Sequence, residues 1–463
     1  MATSDFSPAV LRQLDVERLR GYRELLEFYR GSQWPGRPKA GERRLTFNYA
    51  RVVVDKVTSY LMAGRSFMVE PGGDGPGALE QARRAEEALY RVHRENQIEQ
   101  LDFETEVDCA VLGDACYKVT WDPAAQSVRI TSPDVQGIFA WRVGDDPARL
   151  WRLASRYTLD AAEAERLYGI RPPGRQVVAT EVWTGERFQL WLDNGLQEDR
   201  PNPYGFIPFV LVPNLREPKR FWGVSDLEAI MEAQREFNRA MSQLSAILEL
   251  SGNPIAVLEN VEESEDIAVR PGAVWNIPED ARAYLLDLLQ GGGLRLHIDY
   301  INQLYRTLHD VSEAPRAAFG GTERDLSGVA LEMEMQPLMQ KVMRKRLIRT
   351  AAYNRRCRMV LDLLARFRGE DFGQSRVSVS WGPLLPRDAA RLVSSEQVLV
   401  QGGIHSRRRA MAELGVRDPE AEFRRWLEER RAILEMNREL ATRPARSGAR
   451  ERVAEAGAGV GDE

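Results

Sequence analysis

Apolar residues recur three or four apart at Met335, Leu338, Met339, Val342, Met343, Leu347, Ala351, Val360, Leu363, Leu364 and Phe367. That spacing is the mark of one long helix with a single buried face. Asp325 and Ser327 are candidate N-caps and Gly369 is a natural stop, which predicts a rod over 327–369. At about 1.5 Å per residue the rod is roughly 60 Å long. Pro337 lies inside it, removes a backbone donor and predicts a kink in the first third. The segment before it, Ser312 to Thr322, is built of small residues and predicts an exposed, mobile loop.

The rest of the chain changes period several times. Helical patterns cover 7–30, 49–62, 78–97 and 99–112; in the second, Val52, Val53, Val57 and Leu61 are expected to point inward behind an Asn48 cap. Alternation then predicts strands at 116–121, 127–131, 137–141, 150–157, 176–183 and 188–192, with an apolar strand ending at Val212. Residues 99–215 therefore read as a helix-flanked antiparallel sheet region. A helix capped by Ser225 or Asp226 runs to about 250, and another covers 294–311. Between them, 255–290 is short, extended and turn-rich, with an acidic knot at Glu262, Glu263, Glu265 and Asp266. One strand at 376–381 and helices at 387–400, 406–413 and 419–440 follow, and the sparse hydrophobes after 441 predict disorder.

Composition narrows the function. A chain of 463 residues exceeds what one core usually serves, so two to four structural regions are expected. No run of about 18 apolar residues occurs and the start lacks a basic-then-apolar leader, which points to a cytosolic product. The net charge of −5 excludes a general nucleic-acid sponge. Cys109, Cys116 and Cys357 are poorly spaced for metal or disulfides, and His93, His297, His309 and His405 are scattered. There is no phosphate loop, and Gly223-Val-Ser225 lacks the second glycine of a nucleophile elbow. The expectation is a protein without cofactor, metal or catalytic constellation; a nuclease is disfavoured by the missing metal ligands.

One charge pattern stands out. Lys341, Arg344, Lys345, Arg346, Arg349, Arg355, Arg356 and Arg358 follow one another with no acid among them. Such a run serves DNA or an acidic neighbour, or else forms a solvated face or salt bridges to an adjacent subunit. The net-acidic chain favours the second reading, with Arg344, Arg346, Arg349 and Arg355 as subunit-interface candidates. The helix at 226–249 is conversely acidic (Asp226, Glu228, Glu232, Glu236, Glu249).

Several segments, taken in their order and spacing, carry a resemblance: Tyr22 to Gly31, Asn48 to Gly64, Gly113-Asp-Ala-Cys-Tyr117, Asn202-Pro-Tyr-Gly-Phe-Ile-Pro208, Gly223-Val-Ser-Asp-Leu227 with Asn238 and Ser242, and Leu326-Ser-Gly-Val-Ala-Leu331. Across 20–430 the chain resembles the portal proteins of tailed double-stranded DNA bacteriophages, in the branch typical of siphophages. The resemblance implies an α+β protomer with a helix-flanked β wing (1–223), paired stem helices (224–251 and 294–311) and a small α/β clip (252–293). It further implies a tunnel loop (312–326), a long kinked helix with a return strand of the wing (327–385), a helical crown (386–440) and a tail at 441–463. Such protomers form a ring, usually a homododecamer, at one capsid vertex of the virion, assembled in the host cytoplasm. The implied partners are double-stranded DNA without sequence preference, the terminase large subunit, head-completion or adaptor proteins, and major capsid and scaffolding proteins, with no membrane.

By position, Arg316, Ala317, Ala318, Phe319, Gly320, Thr322 and Arg324 would face the DNA channel. Glu262, Glu263, Glu265 and Asp266 would serve docking at the clip, and Pro337 would be a hinge or a static kink. The loop departs from a strongly basic pattern, because Glu313, Glu323 and Asp325 offset Arg316 and Arg324. The alternative is a non-ring DNA-binding scaffold or adaptor of a phage particle.

Overall fold

The computed structural model describes residues 6–73, 75, 77–252, 255–259, 282–286, 293–321, 328–384, 389–416 and 419–442. A 3-10 turn (Pro8–Arg12) leads through Asp15, held at φ 55°, into helix α1 (Val16–Tyr29). The pattern over 7–30 is thus two elements and not one. Helix α2 (Tyr49–Met62) is capped by the Asn48 side chain, which accepts from the Arg51 amide at 3.2 Å. Its inner face carries Val53, Val54, Val57 and Leu61, whereas Val52 is 45% exposed, because three successive valines cannot share one face of a 3.6-residue turn.

Strand β1 (Arg65–Glu70) and helix α3 (Ala78–Glu95) follow, and α4 (Ile98–Leu112) stops at Gly113. Then come β2 (Asp114–Asp122), β3 (Ser127–Thr131), β4 (Ile138–Val143), β5 (Asp146–Asp160), α5 (Ala161–Tyr168), β6 (Gln176–Thr184), β7 (Arg187–Leu192), β8 (Gly195–Pro201) and β9 (Phe209–Pro213). Every strand expected from alternation is present, but they form two sheets. One has the order β3-β2-β9, the other is a five-stranded antiparallel meander from β4 to β8. Alternation did not reveal β8, because nearly all its residues are exposed and none is fully buried.

Helix α6 (Met231–Gly252) opens later than the sequence suggests, since 226–230 forms turns. Strands β10 (Ile255–Glu259) and β11 (Arg282–Leu286) pair antiparallel, and α7 (Gly293–Ser312) packs on α6 through Phe237 and Tyr305, whose rings are 6.2 Å apart. The expected rod is α8 (Gly328–Glu334) plus α9 (Gln336–Arg368), interrupted at Met335, two residues before Pro337. Helical bonds from Met335 N to Leu331 O and from Met339 N to Met335 O span the interruption, so it is local. Strand β12 (Arg376–Trp381) returns to pair antiparallel with β1, Arg65 opposite Trp381. The second unit, Leu385–Glu463, contains α10 (Ala389–Gln401), α11 (Arg407–Glu413) and α12 (Pro419–Thr442). No helix among the described residues is long and apolar enough to cross a membrane.

The two largest apolar cores among the described residues lie in the first unit, Met1–Leu384, beside smaller ones around Leu159 and around Leu11. The larger packs α3, the β2–β3–β9 sheet and the second half of α9 around Leu89, Tyr117, Val360 and Leu364. The other gathers α1, α2, α4 and α6 around Phe28, Val54 and Phe209. His93 of α3 is 4% exposed in the first core, edge-on to Phe67 at 4.6 Å. Burial, and the Arg356 guanidinium after it, push its imidazole from near 6.5 down to about 3. The unfolded chain takes up that proton near pH 6.5 and the folded chain only near 3, so stability falls as pH drops through this window. Thermal unfolding at pH 7 and pH 4.5 is expected to show a larger acid loss for the wild type than for His93→Phe; equal losses would remove this assignment.

Candidate functional site

Helix α9 carries a row of buried cations where a buried helical face is normally apolar. Lys341, Lys345, Arg349 and Arg356 are at most 4% exposed. Three carboxylates from elsewhere in the chain meet them. Asp226, in the turn before α6, lies 3.2 Å from Lys341 Nζ and accepts a short hydrogen bond from Lys345. Glu106 of α4 takes a bidentate pair from Arg349, both bonds at 2.7 Å, and lies 3.8 Å from Lys345. Asp102, one turn earlier on α4, accepts from both terminal nitrogens of Arg356 and is 2.6 Å from Arg65. Arg349 also donates to the carbonyls of Pro213 and Asn214 at 2.8 Å, so its fork is filled.

The electrostatics follow from burial and pairing together. Burial pushes the Asp226 carboxyl up, but Lys341 and Lys345 outweigh it and hold it well below the carboxylate range. Asp102 is likewise raised by burial and brought below its ordinary value by Arg356 and Arg65. Burial is the main reason that Lys345 titrates below an ordinary lysine, although Asp226 and Glu106 oppose the shift. We call this row the ion ladder.

The upper end of the ladder holds the loop after α7. Lys341 donates to the Ser312 carbonyl at 3.0 Å, and Arg344 forms two 2.7 Å bonds to Glu313. A 3-10 turn (Arg316–Phe319) then packs back on α7. The His309 ring lies 5.2 Å from Phe319 and 4.6 Å from Tyr305, its Nδ1 is 2.7 Å from the Ala314 carbonyl, and the Arg316 guanidinium sits over Tyr305 at 5.3 Å. Ser312, Ala314 and Ala318 are buried. The expectation of a loop that leaves itself exposed is therefore corrected over 312–321. Small side chains let this backbone seat closely between α7 and α9.

Two motif segments meet beside the ladder. Gly113, at φ 88°, and Gly223 cross so closely that a Cβ on Gly223 would lie 2.2 Å from the Gly113 carbonyl oxygen. Asp114 Oδ1 accepts from the Gly223 amide at 2.8 Å, and Tyr22 donates to Oδ2 at 2.6 Å. Ser225 donates to the Val111 carbonyl and accepts from the Leu227 amide, so it fastens the turn to α4. Asn48 and Asn238 belong to one polar cluster with Gln33 and Gln234: Gln33 Nε2 donates to Asn48 at 2.8 Å and Asn238 donates to Gln33 at 2.7 Å.

The site residues named from sequence separate into groups. Arg316, Ala317, Ala318, Phe319 and Gly320 are together in the folded turn, while Thr322, Arg324, Glu262, Glu263, Glu265 and Asp266 lie outside the described residues. Arg349 is completely enclosed, and Arg346 is 6% exposed, donating to the Gly382 carbonyl at 2.8 Å and to the carbonyls ending α2. Arg349 has no free surface to offer another subunit and Arg346 very little, so both are corrected to internal ties. Arg355 is on the exposed side of α9, and Arg344 is half of an exposed ion pair. Asp226, read from the sequence as a cap candidate and part of an acidic helix, is likewise internal. The ladder's acids escaped sequence reasoning because they lie about 120 and 240 residues from their partners; the one local signal is Asp102 and Glu106, four apart in α4.

A cleft of about 700 Å³ opens along the second half of α9, between Asn354, Arg355, Arg358 and the segment from Phe372 to Val377. Among the described residues no group of three or more His, Cys, Asp or Glu is placed to hold a metal ion. A sequence model of the family described as "phage portal protein, SPP1 Gp6-like" matches residues 15–436. A search of curated proteins gave no match.

Proposed function

Because the chain belongs to the SPP1 Gp6-like family of phage portal proteins, we propose that it forms the ring-shaped DNA channel at one capsid vertex. In this reading the terminase drives the genome through the ring during packaging. The ring then retains the DNA, joins head to tail and releases the genome at ejection. The role is structural, with catalysis left to the terminase. The observation that supports the reading best is a family match over 15–436, nearly the full chain, and so over every element from α1 to α11.

Assignments within the protomer follow the same reading. Residues 1–223 and 327–385 form the wing and its long helix, 224–251 with 294–311 the stem, 252–293 the clip that docks terminase and later adaptors, and 386–440 the crown. The turn at Arg316–Phe319 belongs to the tunnel loop, and the interruption at Met335 before Pro337 is its hinge. Arg344 and Arg355 are placed toward a neighbouring subunit.

Charge supports a sliding contact. DNA carries one charge about every 1.7 Å of axis, so a strongly basic bore would grip the duplex. Here the acids Glu313, Glu323 and Asp325 outnumber Arg316 and Arg324 along the loop, and Arg316 is drawn over Tyr305. Replacing Arg316 and Arg324 by alanine is expected to lower packaging rate or packaged DNA length in a packaging assay. Unchanged values in both would remove these residues from the channel contact. Native mass of the purified chain tests the ring itself: a monomer or dimer at micromolar concentration favours a non-ring adaptor instead.

A further inference from the structure

The outward faces of α4 and α9 are unlike each other and point in opposite directions. At about 100° per residue, Leu347 lies across α9 from Lys345 and Arg349, its neighbours at two positions' distance. Glu104 stands in the same relation to Asp102 and Glu106 on α4, and Asp108 to Glu106. Since the ladder ties the inner faces together, the two outer faces look away from each other.

Their chemistry is complementary. Along α9 run Met343, 56% exposed, and Leu347, 74% exposed, and the line continues through Ala351 and Asn354 to the exposed Arg358. Met333 of α8, 70% exposed, extends the apolar part toward the loop. Asn354 Oδ1 lines the cleft there, buried and without a hydrogen-bond donor. On α4 the exposed residues include Phe103 (40% exposed), Glu104 and Asp108, with Asp134 nearby. Burial, then Asp134 and Glu104, push the Asp108 carboxyl above its ordinary value, as expected of an acid that has like charges for neighbours. Apolar side chains this exposed are not suited to DNA, and two different patches on opposite sides of one protomer are what a head-to-tail contact requires.

We propose that the α9 face of one copy, with Met343, Leu347 and Arg358, docks on the α4 face of the next copy, with Phe103, Glu104 and Asp108. The inference rests on the ring reading and specifies which surfaces close it. The aromatic ring covers the apolar line, and the arginine of one copy reaches the acids of the other. The ladder thus carries the contact from one side of each protomer to its other side.

Cross-linking tests this with the full chain. Phe103→Cys and Leu347→Cys both lie on exposed positions, and the three native cysteines are buried. Treated with a short bismaleimide, the double variant is expected to give a ladder of covalently joined chains on a denaturing gel, and each single variant only monomer. A ladder from Leu347→Cys alone would show a like-with-like contact and overturn the proposal. So would closed rings of the double variant, seen in micrographs, without cross-links. As a second arm, Glu104→Arg with Asp108→Arg is expected to weaken assembly at least tenfold and Arg355→Glu with Arg358→Glu, added in the same chain, to restore it. Undiminished assembly of the first variant would count against the contact while leaving the ring reading intact. A wild-type chain that forms no ring withdraws both.

Discussion

Asp102→Asn is expected to destabilise the first unit by about 3–5 kcal/mol, the cost of leaving a buried charge without its partner. In a unit of this size that corresponds to a fall in Tm of about 5 °C. The magnitude comes from stoichiometry. Five buried cations, Arg65, Lys341, Lys345, Arg349 and Arg356, share three carboxylates, so the ladder has no spare acid. Asparagine keeps the shape and one acceptor but removes the charge that serves both Arg65 and Arg356. The exposed pair supplies the contrast: Arg344→Met, which breaks the bond to Glu313, is expected to cost less than about 1 kcal/mol. Calorimetry on both variants decides the matter, and a loss for Asp102→Asn no larger than for Arg344→Met would mean that the buried pair is not holding the fold.

Gly223→Ala is expected to be strongly destabilising. Its Cβ would lie 2.2 Å from the Gly113 carbonyl oxygen and 2.8 Å from the Asn214 amide nitrogen, and both of these atoms are backbone. Those two atoms are also hydrogen-bonded to each other at 2.7 Å, so neither can retreat alone. Overpacking of this kind costs about 3 kcal/mol or more, and here it also displaces the turn that carries Asp226. Gly185 has nothing within 4 Å of its added Cβ, and Gly185→Ala is expected to stay within about 0.5 kcal/mol. Soluble yield and urea unfolding of the two variants measure the difference; similar midpoints would refute the crossing as a constraint.

Much of the architecture was readable in the sequence because it is written in local periods. The six expected strands, the cap at Asn48 and the stop at Gly369 each depend on residues within a few positions of one another. The interruption near Pro337 is of the same kind, since a missing amide acts on the preceding turn. What was not readable depends on pairing at a distance. A run of eight basic residues without an intervening acid gives no sign that five of them are enclosed, because the acids are on α4 and before α6. Sequence reasoning assigned Arg346 and Arg349 to a surface by default, as charged residues are seldom buried. The loop misled for the opposite reason: small residues suggest exposure, but here they allow close seating against His309 and Lys341. The motif glycines and Asp114 were noticed without a role, and their contact across 110 residues supplies one.

The interrupted rod also divides stiffness unevenly. Helix α9 is locked along its length by ladder and core, whereas α8 has no buried residue at all. A one-residue rotation of α9 would drive Met343 and Leu347 inward and strip the lysines of their acids, so torsion is resisted throughout. A load on the turn at Arg316–Phe319 reaches α9 through the Lys341 bond to the Ser312 carbonyl, while the exposed Arg344–Glu313 pair adds little. The first rung that a displaced loop meets is thus Lys341, which also pairs with Asp226, so the charges that hold the protomer together are the ones that register a shift of the loop.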